Sequence, residues 1–339
     1  MPRQAPRADR ALHEVRERDY FFIASFSVWG LWAGVGIVAL WRESVTEFKT
    51  TLARASPVLG VALLPLLLNW QYADRSHDYA ARDWAYNLLM SVEPYGLLFT
   101  NGDNDTFPLW YLQEVEGIRR DVTVMVTSYL NTGWYIRQLR DLTAPCAADQ
   151  DPSRDWTVIQ CQRPYDPQAA GAAYVYGADQ AEDGASIPLD GPVTPPTRSV
   201  VALTDEQIQQ VASSYLQLDQ DQTLRLGNVV ATLEGGQFLA PWQQFSLNII
   251  NEALGERPVY FASSGNAASS LGVRPYLVRQ GLAFKMLDGL PSEVGDEGVV
   301  RIESAPYVPV TGEWVDVPRT RALFDDIFMH RSGIPDVWS

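Results

Sequence analysis

Two long stretches near the N-terminus contain no charged residue, Tyr20 to Trp41 and Ala55 to Ala73. Each is close to the length of about 20 apolar residues that a helix needs to cross a bilayer. Arg42 follows the first stretch directly, without a small-residue cleavage site, which favours a retained helix over a signal peptide. The second stretch is shorter and contains two prolines, so a buried or interfacial helix is its alternative. We predict a transmembrane hairpin over residues 20–73, after a membrane-proximal tail over residues 1–19.

From residue 74 onward, short apolar runs alternate with helical periodicity, which is typical of a soluble α/β domain. The pattern predicts helix 79–91, strand 97–100, helix 106–116, strand 122–127, helix 132–142, strand 199–203, a helix from 205 to about 216, helix 241–254, strands 258–261 and 281–286, and helix 320–328. A segment rich in Pro, Gly, Asp and Gln, about residues 145–197, is predicted to be an insertion. Short links between strand, helix and strand imply parallel pairing. We therefore predict a Rossmann-like α/β domain over residues 74–339 with a mainly parallel sheet.

The composition argues against several classes of function. The formal net charge is −15 and the chain has no run of basic residues, so we expect no nucleic-acid partner. The three histidines are far apart and follow no metal spacing, so we predict no metal site. Neither a glycine-rich nucleotide-binding motif nor the GxSxG pattern occurs. The two cysteines, Cys146 and Cys161, are compatible with a disulfide or with two unpaired thiols.

The most distinctive polar segment is GLLFTNGDNDTFPLW, Gly96 to Trp110, in which a buried strand leads into a loop with two carboxylates and two amides. Ligands of open α/β sheets bind at the carboxyl ends of the strands, where this loop is expected. The next predicted strand leads into a polar and aromatic segment at the same edge. Carbohydrate sites combine hydrogen-bonding groups with an aromatic face for stacking. The candidate substrate-binding residues are Asn101, Asp103, Asp105, Asn131, Trp134 and Tyr135.

The same loop also has a purely structural explanation. Asp105 or Thr106 is suited to cap the following helix, with the other carboxylate near the positive helix end and Asn101-Gly102 forming the turn. Pro108 in the first helical turn agrees with that explanation. Both roles stay open, because one residue can cap a helix and also contact a ligand.

Five segments of the chain, taken in order, carry a resemblance to a known family. They are RERDYFF (16–22), NGDNDTFPLWYLQEVEGIRRDV (101–122), LNTGWYIRQL (130–139), RPVYFA (257–262) and GLAFKM (281–286). Together they resemble a bacterial membrane-protein family labelled only as a domain of unknown function. That family is related to the eukaryotic transmembrane protein O-mannosyltransferases. The similarity covers nearly the whole chain apart from the insertion.

The resemblance implies a glycosyltransferase of the GT-C type, which takes a sugar, by analogy mannose, from a polyprenyl-phosphate carrier. No other cofactor is implied. Such enzymes place their catalytic acid in an early extracytoplasmic loop. The chain is therefore expected to be the C-terminal portion of a transferase, with an N-terminal catalytic half or subunit as its partner and its own catalytic residues unknown. The soluble domain would bind the acceptor, which is a protein or a glycan.

The orientation in the membrane depends on which argument is used. The tail carries five arginines and the segment 42–54 carries three basic residues, so the positive-inside rule alone places the tail and the large domain in the cytoplasm. The resemblance implies instead a multi-pass inner-membrane protein with an extracytoplasmic large domain, which suits a Cys146–Cys161 disulfide. Arg16 and Arg18 would then lie at the outer membrane face and bind the lipid phosphate, with interfacial anchoring as the alternative.

Two other functions remain open from the sequence. One is a non-catalytic, membrane-anchored module that binds carbohydrate or protein. The other is a hydrolase with Asp103 and Asp105 as acid and base, since glycosidases use two carboxylates. No second acidic pair accompanies the loop, so we rank the hydrolase last.

Overall fold

The computed structural model describes residues 22–152, 154, 160–170, 172–176, 185–189, 191–262, 266–292, 298–303 and 312–331. These residues divide into two compact units, one that ends at Asp78 and one that runs from Tyr79 to Arg331. The acidic loop and the other candidate substrate-binding residues belong to the second unit. Arg16 and Arg18 lie outside the described residues.

The first unit contains two apolar helical segments. Helix α1 spans Ile23–Glu47, and the second segment consists of α2 (Leu52–Ala55), a 3-10 helix (Ser56–Leu63) and α3 (Leu64–Ala73). Ala24–Glu47 and Leu52–Gln71 are both long and apolar enough to cross a membrane. α1 runs six residues past its predicted end at Trp41, because backbone hydrogen bonding continues where the apolar run stops. The segment between the two helices is correspondingly short.

The second unit is built from short helices and strands. Its helices are α4 (Ala80–Met90), α5 (Asp103–Glu114), α6 (Gly133–Thr143), α7 (Pro167–Ala170), α8 (Asp205–Ala212), α9 (Pro241–Ala253), α10 (Asn266–Ser270) and α11 (Val317–Ala322). Its strands are β1 (Leu97–Thr100), β2 (Thr123–Val126), β3 (Ala172–Tyr176), β4 (Ala185–Leu189), β5 (Leu216–Gln217), β6 (Gln222–Leu226), β7 (Val229–Leu233), β8 (Phe238–Leu239), β9 (Val259–Phe261), β10 (Leu277–Gln280), β11 (Ala283–Met286), β12 (Val299–Ile302) and β13 (Glu313–Asp316). Ten of these elements overlap a predicted element of the same type, namely α4, α5, α6, α8, α9, α11, β1, β2, β9 and β11.

The central sheet has the strand order β12-β13-β10-β11-β9-β1-β2. β1 pairs in parallel with β2 and β9, as the alternation of strand and helix predicts. Beyond β9 the sheet is mixed, because β11 runs antiparallel to both β9 and β10. The cause is local: a tight turn at Gly281, with φ of +62°, joins β10 to β11, and so short a connection permits only antiparallel pairing. The fold is therefore a mixed α/β fold, and the Rossmann-like assignment is not confirmed.

Helices cover both faces of the parallel part of the sheet. Along β1, Leu97 and Phe99 pack into the core formed with α6, α8 and α9, whereas Leu98 packs into the core formed with α4 and α5. This alternation follows from the pleat of the strand. Every residue of β1 and β2 is buried, as expected for strands covered on both faces. Exposed groups near these two strands are therefore concentrated in the segments that follow their carboxyl ends.

Residues 199–203 do not form the predicted strand. Val200 and Val201 are buried, as their apolar character suggests. Their backbone N–H groups donate to side chains instead of a neighbouring strand: Val200 to Thr143 Oγ1 (3.3 Å) and Val201 to Ser199 Oγ (3.1 Å). Hydroxyl groups thus take the place of a strand partner.

The insertion contains regular structure where the structure describes it. β3 and β4 pair in parallel, and the carboxyl end of the insertion leads into α8. Cys146 and Cys161 are joined by a disulfide with an S–S distance of 2.09 Å. The disulfide places Gln162 beside the main domain, where its Nε2 donates to the carbonyl of Asp121 (2.9 Å).

Candidate functional site

The acidic loop between β1 and α5 is organised by Asp105. One carboxylate oxygen accepts the backbone N–H of Asn101 (2.7 Å), and the other accepts the backbone N–H of Gly102 (2.8 Å). The Gly102 N–H is one of the donors that the start of a helix leaves without an intrahelical partner, and the Asn101 N–H belongs to the turn before it. Helix α5 begins at Asp103, three residues earlier than predicted, so Asp105 lies inside its first turn. The structural explanation of the loop therefore applies to Asp105.

Pro108 lies further into α5 than predicted. It is the sixth residue of the helix rather than part of its first turn, so it removes one intrahelical hydrogen bond. The predicted capping role of Thr106 is replaced by a different contact. The Thr106 hydroxyl is buried and lies 2.7 Å from the hydroxyl of Thr100 at the end of β1. This contact ties the helix start to the strand.

The side chains of Asp103 and Asn101, unlike that of Asp105, take part in no hydrogen bond among the described residues. Both residues are exposed. No described hydrogen bond or ion pair involves the Asp103 carboxylate. Its position at the start of α5 is electrostatically favourable, because the positive end of the helix dipole lies there. Of the two aspartates, Asp103 is the one available to a ligand.

Asn131 and Tyr135 are both engaged within the fold. The Asn131 side chain accepts the backbone N–H of Trp242 (3.2 Å) and donates to the carbonyl of Ser128 (3.1 Å). Tyr135 is buried, and its hydroxyl accepts the N–H of Val126 and donates to the carbonyl of Val124, each at 3.2 Å. Burial raises the pKa of Tyr135 to about 12. Both side chains hold the loop after β2 in place.

A row of aromatic rings lies beside the acidic loop, and we call it the aromatic row. It consists of Phe107, Trp110, Tyr129 and Trp134, with successive ring centroids 5.8, 6.3 and 6.0 Å apart. The buried ring of Tyr135 packs edge-on against two rings of the row, those of Tyr129 and Trp134. The two ends are open to solvent, since Phe107 is 49% exposed and Trp134 is 56% exposed. The rings are tilted against each other by 37–50°, and the exposed rings at the two ends are suited to stacking.

The acidic loop and the aromatic row meet on helix α5. Asp103 and Phe107 are four residues apart, so their side chains lie on the same face of the helix. Trp134 was identified as a candidate from the sequence, whereas Phe107, Trp110 and Tyr129 were not. The i, i+3 spacing of Phe107 and Trp110 is a signal that could have identified two of them, whereas Tyr129 joins the row through a turn after β2.

A cavity of about 340 Å³ opens next to the row, along the outer edge of β2. Trp110 and Tyr135 contribute to its wall, together with an ion pair between Arg163 Nη1 and Glu114 Oε1 (2.6 Å). Arg120 also lines the cavity, and burial together with the charge of Arg163 lowers its pKa. Two guanidinium groups beside one carboxylate give this wall a positive character.

Two further predictions concern metal and lipid. Within the residues that the structure describes, no group of three or more His, Cys, Asp or Glu side chains is placed to hold a metal ion. The proposed lipid-phosphate residues, Arg16 and Arg18, lie outside the described ranges, so their role stays a prediction.

Comparison with known families matches one part of the chain. Residues 81–148 match the family described as TMEM260-associated domain 2. The matched segment runs from α4 through α6 and contains the acidic loop and the complete aromatic row. Comparison with the curated proteins and with the solved structures finds no match. The chain is thus similar to a TMEM260-associated domain over the segment that builds the candidate site.

Proposed function

We propose that the chain is the C-terminal part of a membrane glycosyltransferase that transfers a sugar from a polyprenyl-phosphate carrier to a protein or glycan. In this proposal the second unit binds the acceptor. The observation that carries the proposal is the exposed aromatic row with the Asp103 carboxylate on the same helix face. A sugar ring presents C–H groups on its faces and hydroxyls at its rim. Trp134 and Phe107 suit the faces by stacking, and Asp103 can accept hydrogen bonds from the hydroxyls.

The resemblance supports the remaining parts of the proposal. Two apolar helices that are able to cross a membrane agree with a multi-pass inner-membrane protein. An extracytoplasmic position for the second unit agrees with the disulfide, since disulfides persist in oxidising compartments. We assign the catalytic acid to an N-terminal half or a partner subunit, and the phosphate of the donor to Arg16 and Arg18. The sugar is by analogy mannose.

The first experiment measures glycan binding by the full chain in detergent. Tryptophan fluorescence is followed during titration with α-linked mannotriose and with a panel of other oligosaccharides. We expect Trp134→Ala to weaken binding of the preferred glycan by about tenfold or more, because one aromatic stacking contact is lost. Phe324→Ala is the matched control, since Phe324 is similarly exposed at 46% but does not belong to the aromatic row. Equal affinities for both variants and the wild type would contradict the assignment of the site.

A second experiment separates the transferase from a non-catalytic binding module. Membranes that contain the chain and its neighbouring gene products are supplied with radiolabelled polyprenyl-phosphate-mannose, and label in protein and glycan is counted. Transfer that depends on the chain supports the proposal. Glycan binding by the chain without any transfer would favour the module, for which the exposed aromatic row is equally suitable.

A further inference from the structure

Residues Leu216–Leu239 form a bent two-stranded ribbon that projects an edge towards solvent. β5 pairs with β8 at its base, and β6 pairs with β7 towards its tip. Gly227 and Asn228 form the two-residue tip, where Gly227 has a φ of +57°. With a two-residue tip, Leu226 and Val229 exchange backbone hydrogen bonds with each other. Every second pair along the ribbon does the same, namely Leu224–Ala231 and Gln222–Leu233. The backbone N–H and C=O groups of Thr223 and Arg225 therefore point away from β7, along the outer edge of β6.

The two edges of this ribbon differ in whether other residues of the fold contact their outward-facing backbone groups. On the outer edge of β7, the backbone N–H of Val230 donates to the hydroxyl of Tyr276 (3.0 Å). Gly272 also approaches β7 closely, since a Cβ there would clash with the carbonyl oxygen of Thr232. Along β6, in contrast, no hydrogen bond of the described residues reaches the outward-facing backbone groups of Thr223 and Arg225. β6 is thus a strand edge open for pairing.

A groove runs along the open edge of β6, between the ribbon and helix α9, with a volume of about 740 Å³. Its apolar lining is made of leucines: Leu216, Leu218, Leu224, Leu226, Leu233, Leu239 and Leu247. Among the described lining residues there is no aromatic ring. A groove without rings is a poor site for stacking a sugar, whereas leucines suit aliphatic side chains.

Helix α9 presents a row of amides to the same groove. Gln244, Asn248 and Asn251 line it and lie on one face of the helix, at spacings of four and three residues. The side-chain oxygen of Asn248 is buried and has no hydrogen-bond partner. A buried acceptor without a donor destabilises the free protein, so a ligand that supplies an N–H group would relieve that cost. The groove therefore offers hydrogen-bonding groups on both of its walls.

We propose that an extended peptide segment of another polypeptide binds here as a third strand beside β6. Its backbone would pair with Thr223 and Arg225, and every second side chain would enter the leucine-lined groove, as in β-strand addition. The charged residues that line the groove are Asp219, which precedes β6, and Arg225 near the tip of the ribbon, so the fitting peptide is aliphatic in the middle and carries a basic residue at the end that lies beside Asp219. This inference goes beyond the proposed function, because it concerns a different surface and requires no sugar chemistry.

The experiment selects binders for the full chain in detergent from a displayed library of random nonapeptides. We expect enrichment of peptides with Val, Ile or Leu at alternating positions and Lys or Arg near one end. The enriched peptides are then measured against Thr223→Pro, which removes an outward-facing N–H at a position where an edge strand tolerates proline. Thr223→Val is the matched control, because it changes the side chain and keeps the N–H. We expect the proline variant to bind about tenfold more weakly or worse, and the valine variant to bind like the wild type.

Two further measurements separate strand addition from other modes of binding. Bound peptide should slow hydrogen exchange at the backbone amides of Thr223 and Arg225 while leaving the intervening Leu224 amide unchanged. Asn248→Leu should raise the melting temperature of the free chain and weaken peptide binding, a combination that a purely structural asparagine would not give. A library that yields no enriched sequence, peptides that bind the proline variant with wild-type affinity, or protection elsewhere than at the β6 edge would each overturn the proposal.

Discussion

The two aspartates of the acidic loop are predicted to have separable roles, and Asp105→Ala tests the structural one. The substitution removes the acceptors of two backbone N–H groups, those of Asn101 and Gly102 at 2.7 and 2.8 Å. Loss of a capping side chain costs about 1 kcal/mol of unfolding free energy, and removing a carboxylate near a helix start costs a further 0.3–1 kcal/mol or so. Because two donors lose their partner, we expect a total loss of about 2 kcal/mol.

Asp103→Ala is the matched variant, because Asp103 is exposed and lies two residues away in the same first turn of α5. It removes no described hydrogen bond, so the expected loss is within about 0.5 kcal/mol, the usual range for surface substitutions. For a unit of this size, 1 kcal/mol corresponds to roughly 2–4 °C in melting temperature. We therefore expect Asp105→Ala to melt about 4–8 °C below the wild type and Asp103→Ala to melt within about 2 °C of it.

The assay is thermal unfolding of the detergent-solubilised chain, followed by near-ultraviolet circular dichroism, together with glycan titration at 20 °C. Asp105→Asn serves as an intermediate control, because it keeps one acceptor oxygen and loses the charge. In the binding arm, Asp103→Ala should weaken the glycan complex although the chain stays folded. A melting temperature of Asp105→Ala equal to that of the wild type would refute the capping role. A large fall in melting temperature for Asp103→Ala would show that its carboxylate has a structural contact after all.

Three further predictions concern stability. Replacing Cys146 and Cys161 by alanine should cost about 3 kcal/mol, since a disulfide that closes a loop of 15 residues restricts the unfolded chain; unfolding with and without reductant measures it. Glu93→Gln should cost about 3 kcal/mol, because the buried Arg319 and the partly buried Lys285 both lose their carboxylate. Burial opposes ionisation of Glu93, yet the charges of Lys285 and Arg319 hold its pKa below the usual range. The ionised carboxylate therefore stabilises the fold fully above the normal glutamate pKa, and this stabilisation is lost as the pH falls through the lowered pKa of the folded state. Melting curves of wild type and variant should therefore converge in acid. Gly281→Ala should cost about 2 kcal/mol or more, because it combines a positive φ with a Cβ 2.5 Å from a buried hydroxyl; urea unfolding measures the loss.

Local sequence patterns predicted the parts of the fold that depend on local interactions. The strand Leu97–Thr100 was predicted to the residue, because a turn precedes it and every position suits burial. Helix α8 begins at residue 205 as predicted, because Thr204 and Gln207 form a capping box in which the Gln207 N–H donates to the Thr204 hydroxyl (3.3 Å). The direction of pairing beyond β9 was not predictable from composition, since it depends on a turn at Gly281 between two short apolar runs.

The candidate site was predictable in its location and not in the task of each residue. All four residues of the segment DNDT are of types that are able to cap a helix, so the sequence alone does not select Asp105 over Asp103. The Asn131 side chain accepts a hydrogen bond from the backbone N–H of Trp242, which is 111 residues away in the sequence. No local sequence pattern reveals such a contact. The aromatic row joins two separate segments of the chain, which meet only because β1 and β2 are neighbours in the sheet.

The candidate site and the proposed peptide groove both lie beside an edge strand, and the two edges differ in how their backbone groups are covered. An open strand edge is able to pair with other chains, and this fold covers the edges of β2 and β7 with side chains. At β2, the Tyr135 hydroxyl donates to the carbonyl of Val124, and just before the strand Gln113 Nε2 donates to the carbonyl of Val122 (2.7 Å). At β7, a tyrosine hydroxyl has the same role. β6 lacks such a cover among the described residues, although α9 carries three amides along the adjoining groove. The β6 edge lies beside aliphatic side chains and an unsatisfied amide oxygen, which are the features expected of a surface that pairs with another strand. Removing the single backbone N–H of Thr223 tests that pairing directly.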